Sequence, residues 1–302
     1  MSTGYVIAVG SACIDENYNA DRWPDLGDKC LIRPTGDLVG GMIANAACVM
    51  AGYGVKTCMF DALNNHQADF ILKDLHSYGL DVSHVRIDDS LPDAKCIIVR
   101  TPSDRAILVV SSKKPKITLT EAELEFFAGA AYVYSTPSEL RNITNIREIM
   151  PELRAKGVRF VLDVESSTFI SEDEVLLKNA SLIFFNEYGF ANCCGDRSAE
   201  DFRRELFASG VEVITVTMGS EGSETWTRAE HARIRGHRVS IVDTTGAGDT
   251  FNSSFVYCMT QGMDIFRAAA FSNMAAADSV TRVGPKSGVG SADRIWKMLE
   301  GK

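Results

Sequence analysis

Apolar runs that alternate with helix patterns are the feature that most constrains the fold of this chain. The runs are continuously apolar, as strands covered on both faces are, and they occupy residues 5–9, 56–60, 131–134, 159–164, 181–185 and 212–217. Helix patterns lie between them, and Thr120-x-x-Glu123 and Ser171-x-x-Glu174 predict capping boxes at two helix starts. This order predicts an α/β fold with a central, mostly parallel sheet flanked by helices.

Two segments depart from that order and predict a small β-sheet. Residues 94–100 and 104–110 are β-rich and flank a turn that contains Pro102, which is typical of a hairpin. Residues 16–37 are polar and irregular. We expect one domain over residues 1–302, in which about 16–37 and 94–110 form a lid over a site on the main sheet. A second hairpin is predicted at 224–242, and helices are predicted at 249–261, 264–281 and 291–299.

Charge and cysteine content exclude several classes of function. Forty acidic residues against 31 basic ones give a net charge of -9, which disfavours binding to nucleic acid or to an anionic membrane surface. The longest uncharged stretch, residues 38–55, contains four glycines and Asn45, so it would span a membrane poorly. The eight cysteines form no CxxC pair, and no signal-peptide pattern is present, so we expect reduced thiols and a cytoplasmic protein.

The strongest chemical signal is the segment Asp243-Thr-Thr-Gly-Ala-Gly-Asp-Thr-Phe251. Its small residues 246–248 would present backbone N–H groups at a helix N-terminus, which stabilises an anion. Asp249 would repel a resting phosphate, but it could accept a proton from a hydroxyl that attacks one. The alternative is a tight helix entry in which Asp249 is only a cap. A dinucleotide fingerprint is excluded because Phe251 occupies the third glycine position, and no GxxxxGK[ST] motif exists.

The same segment resembles the C-terminal signature of the ribokinase-like (PfkB-type) carbohydrate kinases. The family's N-terminal signature is matched by Gly40-Gly41-Met-Ile-Ala-Asn45, about 200 residues earlier in the chain. Further stretches at 10–15, 217–222 and 273–284 are similar to the family's first substrate loop, its nucleotide-binding turn and its adenine-side helix. The resemblance therefore covers nearly the whole chain and implies the ribokinase-like fold.

The activity implied by the resemblance is transfer of the γ-phosphoryl group of Mg-ATP to a sugar hydroxyl. Asp249 would be the catalytic base, and the amides of Gly246, Ala247 and Gly248 would form the anion hole. A homodimer is implied as well. Two alternatives stay open: a nucleoside kinase of the same fold, and a sugar- or nucleotide-binding regulator without turnover.

The resemblance also implies the binding residues. The sugar would be held by Asp15, Gly40, Gly41 and Asn45. The nucleotide and its Mg²⁺ would contact Asn186, Thr217, Gly219, Gly222 and Asn273. A potassium ion would be held by Asp243 and Thr245. Alternative roles are a strand-end cap for Asp15, a helix-entry turn for Gly41 and Asn45, a solvent-exposed position for Asn273 and turn stabilisation for Asp243.

The sequence differs from the family pattern at three places. Asn186-Glu-Tyr-Gly189 stands where the family has Asn-x-x-Glu, so Glu187 or Asp163 would have to replace the missing metal-organising carboxylate. Cys13 and Met42 stand where ribokinase itself has asparagine and lysine. Residues 63–68 replace the family's Gly-Asp-Asp-x-x-Gly. These differences beside the sugar positions predict an uncommon substrate.

Basic residues in the predicted lid suggest an anionic group on that substrate. We hypothesise that Arg33, Arg100 or Arg105 pairs with a substrate carboxylate or phosphate. Lys113 and Lys114, which follow the hairpin, are expected to be solvated.

Overall fold

The computed structural model describes residues 4–110 and 114–301. The strands are β1 (Val6–Val9), β2 (Cys13–Ala20), β3 (Ile32–Gly40), β4 (Thr57–Leu63), β5 (Asp81–Ile87), β6 (Lys95–Arg100), β7 (Arg105–Val110), β8 (Tyr132–Ser135), β9 (Arg159–Val164), β10 (Leu182–Asn186), β11 (Val213–Thr217), β12 (Ser223–Trp226) and β13 (His231–Ile234). The helices are α1 (Met42–Gly52), α2 (Asn65–Ser77), α3 (Glu121–Ala128), α4 (Pro137–Leu140), α5 (Ile146–Ala155), α6 (Glu174–Lys178), α7 (Glu187–Cys194), α8 (Ala199–Ala208), α9 (Ala247–Thr260), α10 (Ile265–Ser279) and α11 (Ala292–Leu299).

The large sheet has the strand order β13-β12-β11-β10-β9-β8-β1-β4-β5. Its strands run parallel from β11 to β5, and the β11–β12 and β12–β13 pairs are antiparallel. A separate sheet has the order β3-β2-β6-β7, in which β2 and β6 are parallel and the other pairs antiparallel. The predicted fold class, a central parallel sheet with helices and a small β-sheet, is confirmed.

Burial on both faces explains why the strands read as continuous apolar runs. Along β1, Val6 and Ala8 belong to the core on one side of the sheet, whereas Ile7 and Val9 belong to the core on the other. Because successive side chains of a strand point to opposite faces, both faces of β1 must be apolar.

One strand and one helix start differ from the sequence predictions. Strand β5 was not predicted, because it lies at the edge of the sheet and its side chains are largely exposed or half-buried. The capping box at Ser171 is wrong: residues 171–173 form a 3₁₀ turn, and the carboxylate of Asp173 accepts the N–H of Ile170. The capping box at Thr120 is confirmed by both of its reciprocal hydrogen bonds to Glu123.

The predicted second hairpin is shorter than expected. Its strands are β12 and β13, and residues 235–242 continue without strand structure to the start of the 243–251 segment. No helix in the described ranges is long and apolar enough to cross a membrane.

The parallel strands bring their carboxyl ends to one edge of the large sheet, where open α/β sheets bind ligands. The loops that follow β1, β10 and β11 lie at this edge. Helices α1 and α9, which carry the two signature segments, are brought together there by the hydrogen bond between Asn45 and Asp249.

Candidate active site

Asp249 lies in the first turn of α9 and is buried. Its Oδ2 accepts a hydrogen bond of 2.8 Å from Nδ2 of Asn45, which is on α1. Burial and the negative charges of Asp163 and Glu165 raise the pKa of Asp249 to about 7, although the hydrogen bond from Asn45 opposes the shift. A carboxyl group with a pKa near neutrality is well suited to act as a general base.

Asn45 has a second polar atom without a partner. Its Oδ1 is buried and accepts no hydrogen bond from the described residues. A buried acceptor left unpaired costs about 1–3 kcal/mol, so such atoms are usually satisfied by water or by a ligand. A ligand hydroxyl at this position would satisfy Oδ1 and would lie beside the carboxylate of Asp249.

The N-terminus of α9 is packed on one side and open on the other. Gly246 has a φ of 76°, and a Cβ there would overlap the carbonyl oxygen of Pro285, so conformation and packing both require glycine. The N–H of Ala247 contacts the carbonyl oxygen of Thr244 at 3.3 Å. A Cβ at Gly248 would meet no atom within 4 Å, so the helix start is open on the Gly248 side.

The glycine pair at the predicted sugar site packs against protein atoms. A Cβ at Gly40 would overlap the carboxylate of Asp15, and a Cβ at Gly41 would overlap the carbonyl oxygen of Ser11. Gly41 also has a φ of 105°. The two glycines therefore let the end of β3 approach Asp15, whose side chain is buried and whose pKa is raised mainly by that burial.

The predicted nucleotide residues lie at the ends of two neighbouring strands. Asn186 and Thr217 are paired in the register of β10 and β11. Asn186 caps α7, because its Oδ1 accepts the N–H of Gly189 at 2.6 Å. Gly219 has a φ of 54° with open space at its Cβ position, whereas a Cβ at Gly222 would overlap the carbonyl oxygen of Ile234.

Asn273 is not the exposed helix residue that the sequence allowed as an alternative. It is buried on α10, and its Nδ2 donates to the hydroxyl of Ser223 at 2.8 Å and to the carbonyl of Ala269 at 2.9 Å. Its amide ties α10 to the first residue of β12, directly after Gly222.

Asp243 is the most heavily bonded of the predicted site residues. Its carboxylate accepts hydrogen bonds from the N–H and hydroxyl of Thr245 and from the N–H of Gly284. Arg105 contacts it at 2.6 Å and Arg100 at 3.5 Å, both from the tip of the β6–β7 hairpin. Burial would raise the pKa of Asp243, but the hydrogen bonds from Thr245 and Gly284 and the charge of Arg105 outweigh burial and lower it.

The lid arginines therefore have protein partners in this structure. Arg100 also donates to Oδ1 of Asn17 at 2.5 Å, and Arg33 forms an exposed ion pair with Asp21.

The expectation of a solvated lysine at position 114 is wrong. Lys114 is only 10% exposed and pairs with Asp61, which is 4% exposed, at 2.8 Å. Oδ2 of Asp61 also accepts the N–H of Ala12, and Lys114 and Asp61 line a cavity with Glu139. Sequence reasoning missed this pair because two residues 53 positions apart carry no shared motif. Lys113 lies outside the described residues.

The sequence alone also did not predict that Asp163 and Tyr134 form a buried, hydrogen-bonded pair close enough for the charge of Asp163 to act on Asp249. Asp163, at the end of β9, accepts the hydroxyl of Tyr134 at 3.0 Å. Burial raises the pKa of Asp163 to about 6, against hydrogen bonds from Asn252 and Tyr134. The only signal in the sequence was an aspartate near the end of an apolar strand. Its partners, Tyr134 on β8 and Asn252 on α9, are distant in the chain and meet it only in the folded protein.

Solved structures share this fold. The structure of Arabidopsis thaliana ribokinase complexed with ribose and ATP matches with a TM-score of 0.85 and 23% identity, covering 98% of this chain and 99% of that one.

Curated relatives that are similar in sequence are sugar kinases as well. Haemophilus influenzae ribokinase is 24% identical over 271 residues, which are 86% of this chain and 87% of the relative. The 5-dehydro-2-deoxygluconokinase of Bacillus velezensis is 24% identical over 317 residues, covering 98% of this chain and 94% of the relative.

A family model described as pfkB family carbohydrate kinase matches residues 3–291. The predictions of the family and of a phosphotransferase that acts on a sugar are thereby confirmed. Because the match extends over nearly its whole length, the chain belongs to the pfkB family of carbohydrate kinases.

Proposed function

We propose that this kinase transfers the γ-phosphoryl group of Mg-ATP to a sugar hydroxyl, with Asp249 as the catalytic base. The observation that carries the proposal is the place of Asp249, a buried carboxyl with a pKa of about 7 at the open end of α9. The carboxylate accepts the hydroxyl proton as the oxygen attacks the phosphorus.

The other residues position the substrate and stabilise charge. The unpaired Oδ1 of Asn45 accepts a sugar hydroxyl, while its Nδ2 holds Asp249 in place. Asp15, on β2, accepts a hydrogen bond from a second sugar hydroxyl. The amide N–H groups at the start of α9, on the open Gly248 side, bind the transferring phosphoryl group. On the nucleotide side, Thr217, Gly219 and Gly222 line the ATP phosphates and ribose, and Asn273 shapes the adenine side through its bond to Ser223.

Two acidic residues whose charges act on Asp249 would supply ligands for a magnesium ion. Asp163 and Glu165 both raise the pKa of Asp249 by their charges, and oxygen ligands of this kind are those that Mg²⁺ prefers. A bound Mg²⁺ would neutralise charge on the ATP phosphates. Glu165 is half-buried and its charge acts on Asp249, whereas Glu187 is exposed, so we propose that Glu165 and Asp163 replace the carboxylate that Gly189 lacks.

Potassium fits the loop at Asp243 and Thr245 poorly in this arrangement. The carboxylate of Asp243 already receives donors from Thr245, Gly284 and Arg105, and the guanidinium of Arg105 supplies a positive charge at that place. We derive no step of the reaction through potassium.

The small sheet is proposed to close over the sugar as a lid. Its hairpin tip already reaches the active-site loop through the ion pairs of Arg100 and Arg105 with Asp243. Closure would exclude water, which competes with the sugar as an acceptor of the phosphoryl group.

The same sheet supports a homodimer. Its edge strand β7 exposes Ile107, Leu108 and Val109, and an exposed apolar edge strand is a template for pairing with another chain. Light scattering after size exclusion, for the wild type and for Val109→Lys, tests this: a dimer that becomes a monomer supports it, and a wild-type monomer contradicts it.

A cytoplasmic location is proposed from the eight cysteines, all of which are free thiols.

The test of the activity is ADP release from Mg-ATP over a panel of sugars, sugar acids, sugar phosphates and nucleosides. Asp249→Asn keeps the size of the side chain and removes the base, so we expect it to lower kcat by about 10²–10⁴-fold without loss of ATP binding. ADP release that depends on a sugar and survives this substitution would contradict the role of Asp249. Binding of ATP and a sugar by calorimetry without turnover would favour the regulator alternative.

A further inference from the structure

Two thiols and a carboxylate converge in the small sheet beside the proposed sugar site. Cys13 and Asp15 are two residues apart on β2 and therefore point to the same face, and Asp15 is paired with Cys96 in the register of β2 and β6. The Sγ atoms of the two cysteines are 3.9 Å apart, and Sγ of Cys13 is 3.6 Å from Oδ1 of Asp15. All three donor atoms lie within 4.8 Å of one another.

These spacings match those around a tetrahedral zinc ion. With Zn–S bonds of about 2.3 Å and Zn–O bonds of about 2.0 Å, tetrahedral angles place two sulfurs about 3.8 Å apart and a sulfur and an oxygen about 3.5 Å apart. The two distances from Sγ of Cys13 differ from these values by about 0.1 Å, and the third pair, Asp15 and Cys96, lies within 4.8 Å. Cys13 is therefore already spaced from the other two donors as it would be around the ion.

We propose that Cys13, Asp15 and Cys96 form a binding site for a thiophilic divalent metal ion, zinc, with the fourth position open to water. Three protein ligands and one open position make a common zinc geometry. The cluster lies in a protein whose described residues present no other group of this kind.

The surroundings are compatible with a bound cation. Cys13 and Asp15 are buried and Cys96 is half-buried, so the metal would be shielded on the β2 side and reached from the β6 side. Zinc would displace the protons of the two thiols as it binds. The positive charges of Lys286 and Arg100 act on Asp15, and the negative charge of Glu165 acts on Cys96.

Zinc at this site would inhibit the kinase by competing with the sugar for Asp15. This part of the proposal rests on the proposed function, because it takes Asp15 as a sugar ligand. The metal site itself does not, since it follows from the geometry of the three donors. Magnesium would not compete for the site, because it prefers oxygen ligands to thiolates.

The first experiment measures zinc binding directly, by competition with a chromophoric chelator under reducing conditions. We expect the wild type to bind one zinc ion per chain, and Cys13→Ser and Cys96→Ser to weaken the affinity by about 100-fold or more. Cys30→Ser is the matched control, because Cys30 is another half-buried free thiol outside the cluster, and it should bind zinc as the wild type does. Equal zinc affinity in all four proteins would overturn the proposal.

A second measurement uses the wild type alone and so avoids variants that fail to fold. Alkylation followed by mass spectrometry should show that zinc protects Cys96 while Cys30 reacts at an unchanged rate. Protection of Cys96 without zinc that is reversed by dithiothreitol would indicate a disulfide with Cys13 and would overturn the metal site.

Kinase assays then test the competition. Zinc should raise the KM for the sugar with little effect on kcat, and the effect should be lost in Cys96→Ser. Zinc inhibition that persists in Cys96→Ser would contradict the competition. Because binding and alkylation need no turnover, their outcome stays separate from that of the proposed activity.

Discussion

The hydrogen bond between Asn45 and Asp249 makes a prediction about the pH dependence of the reaction. As the proposed base, Asp249 would act only when it is ionised, and its pKa of about 7 places the acid limb of kcat/KM for the sugar near neutral pH. Nδ2 of Asn45 donates to the ionised carboxylate and therefore lowers that pKa. The substitution Asn45→Ala should raise it.

The size of the shift follows from the strength of the bond. A hydrogen bond to a charged group contributes about 1.5–3 kcal/mol, and one pKa unit corresponds to about 1.4 kcal/mol. The acid limb should therefore move up by about one to two units. Protonation alone would then reduce kcat/KM at pH 7 by roughly 5- to 50-fold, and the deficit should shrink as the pH rises.

The assay is a coupled measurement of ADP release between about pH 5.5 and pH 9.5. Loss of the sugar contact at Oδ1 lowers kcat/KM equally at every pH, so the position of the limb separates the two roles of Asn45. Asn192→Ala, an exposed change on α7, is the control and should leave the limb in place. An acid limb that stays near pH 7 in Asn45→Ala, or moves down, would refute the reasoning.

Three other changes test the packing around the site. Gly246→Ala should lower the free energy of unfolding, measured by urea titration, by about 1–3 kcal/mol, because Gly246 has a positive φ. Gly248→Ala, at a position with open space, should change it by less than about 1 kcal/mol. Equal effects of the two substitutions would contradict the packing argument. Lys114→Met leaves the buried carboxylate of Asp61 without its cation and should lower the free energy of unfolding by about 3–5 kcal/mol. The exposed control Lys116→Ala should lower it by about 0.5 kcal/mol or less, and an equally small loss in Lys114→Met would refute the buried pair. Arg105→Ala removes the charge beside Asp243, so the ratio of turnover in K⁺ to turnover in Na⁺ should rise; an unchanged ratio would show that Arg105 does not stand in for a cation.

Local patterns were enough for most of the fold. Strand β9 has the predicted bounds, and the other predicted parallel strands of the large sheet differ by at most three residues at an end. The edge strand β5 was missed because its side chains are exposed or half-buried, so its sequence is not a continuous apolar run. The capping motif at Ser171 failed because the turn starts one residue earlier: the carboxylate of Asp173 accepts the N–H of Ile170, and the hydroxyl of Ser171 donates to Glu172.

The candidate site was predictable only where its residues form a contiguous motif. The segment at 243–251 and the glycine pair at 40–41 carry their own geometry, since positive φ values and close packing demand glycine. The pair of Lys114 with Asp61, the contacts of Arg100 and Arg105 with Asp243, and the cluster of Cys13 with Cys96 join residues 53 to 143 positions apart. No local pattern records such contacts.

By itself, the sequence determined the α/β class and the family and pointed to the candidate base, because these follow from the order of apolar runs and from motifs whose residues are contiguous in the chain. The tertiary structure decided the environment of that base. Burial and neighbouring charges raise the pKa of Asp249 to about 7, and the Asn45 amide 204 positions away opposes the shift. The energy of a charge depends on the atoms around it in space, and those atoms are assembled only when the strands and helices pack together.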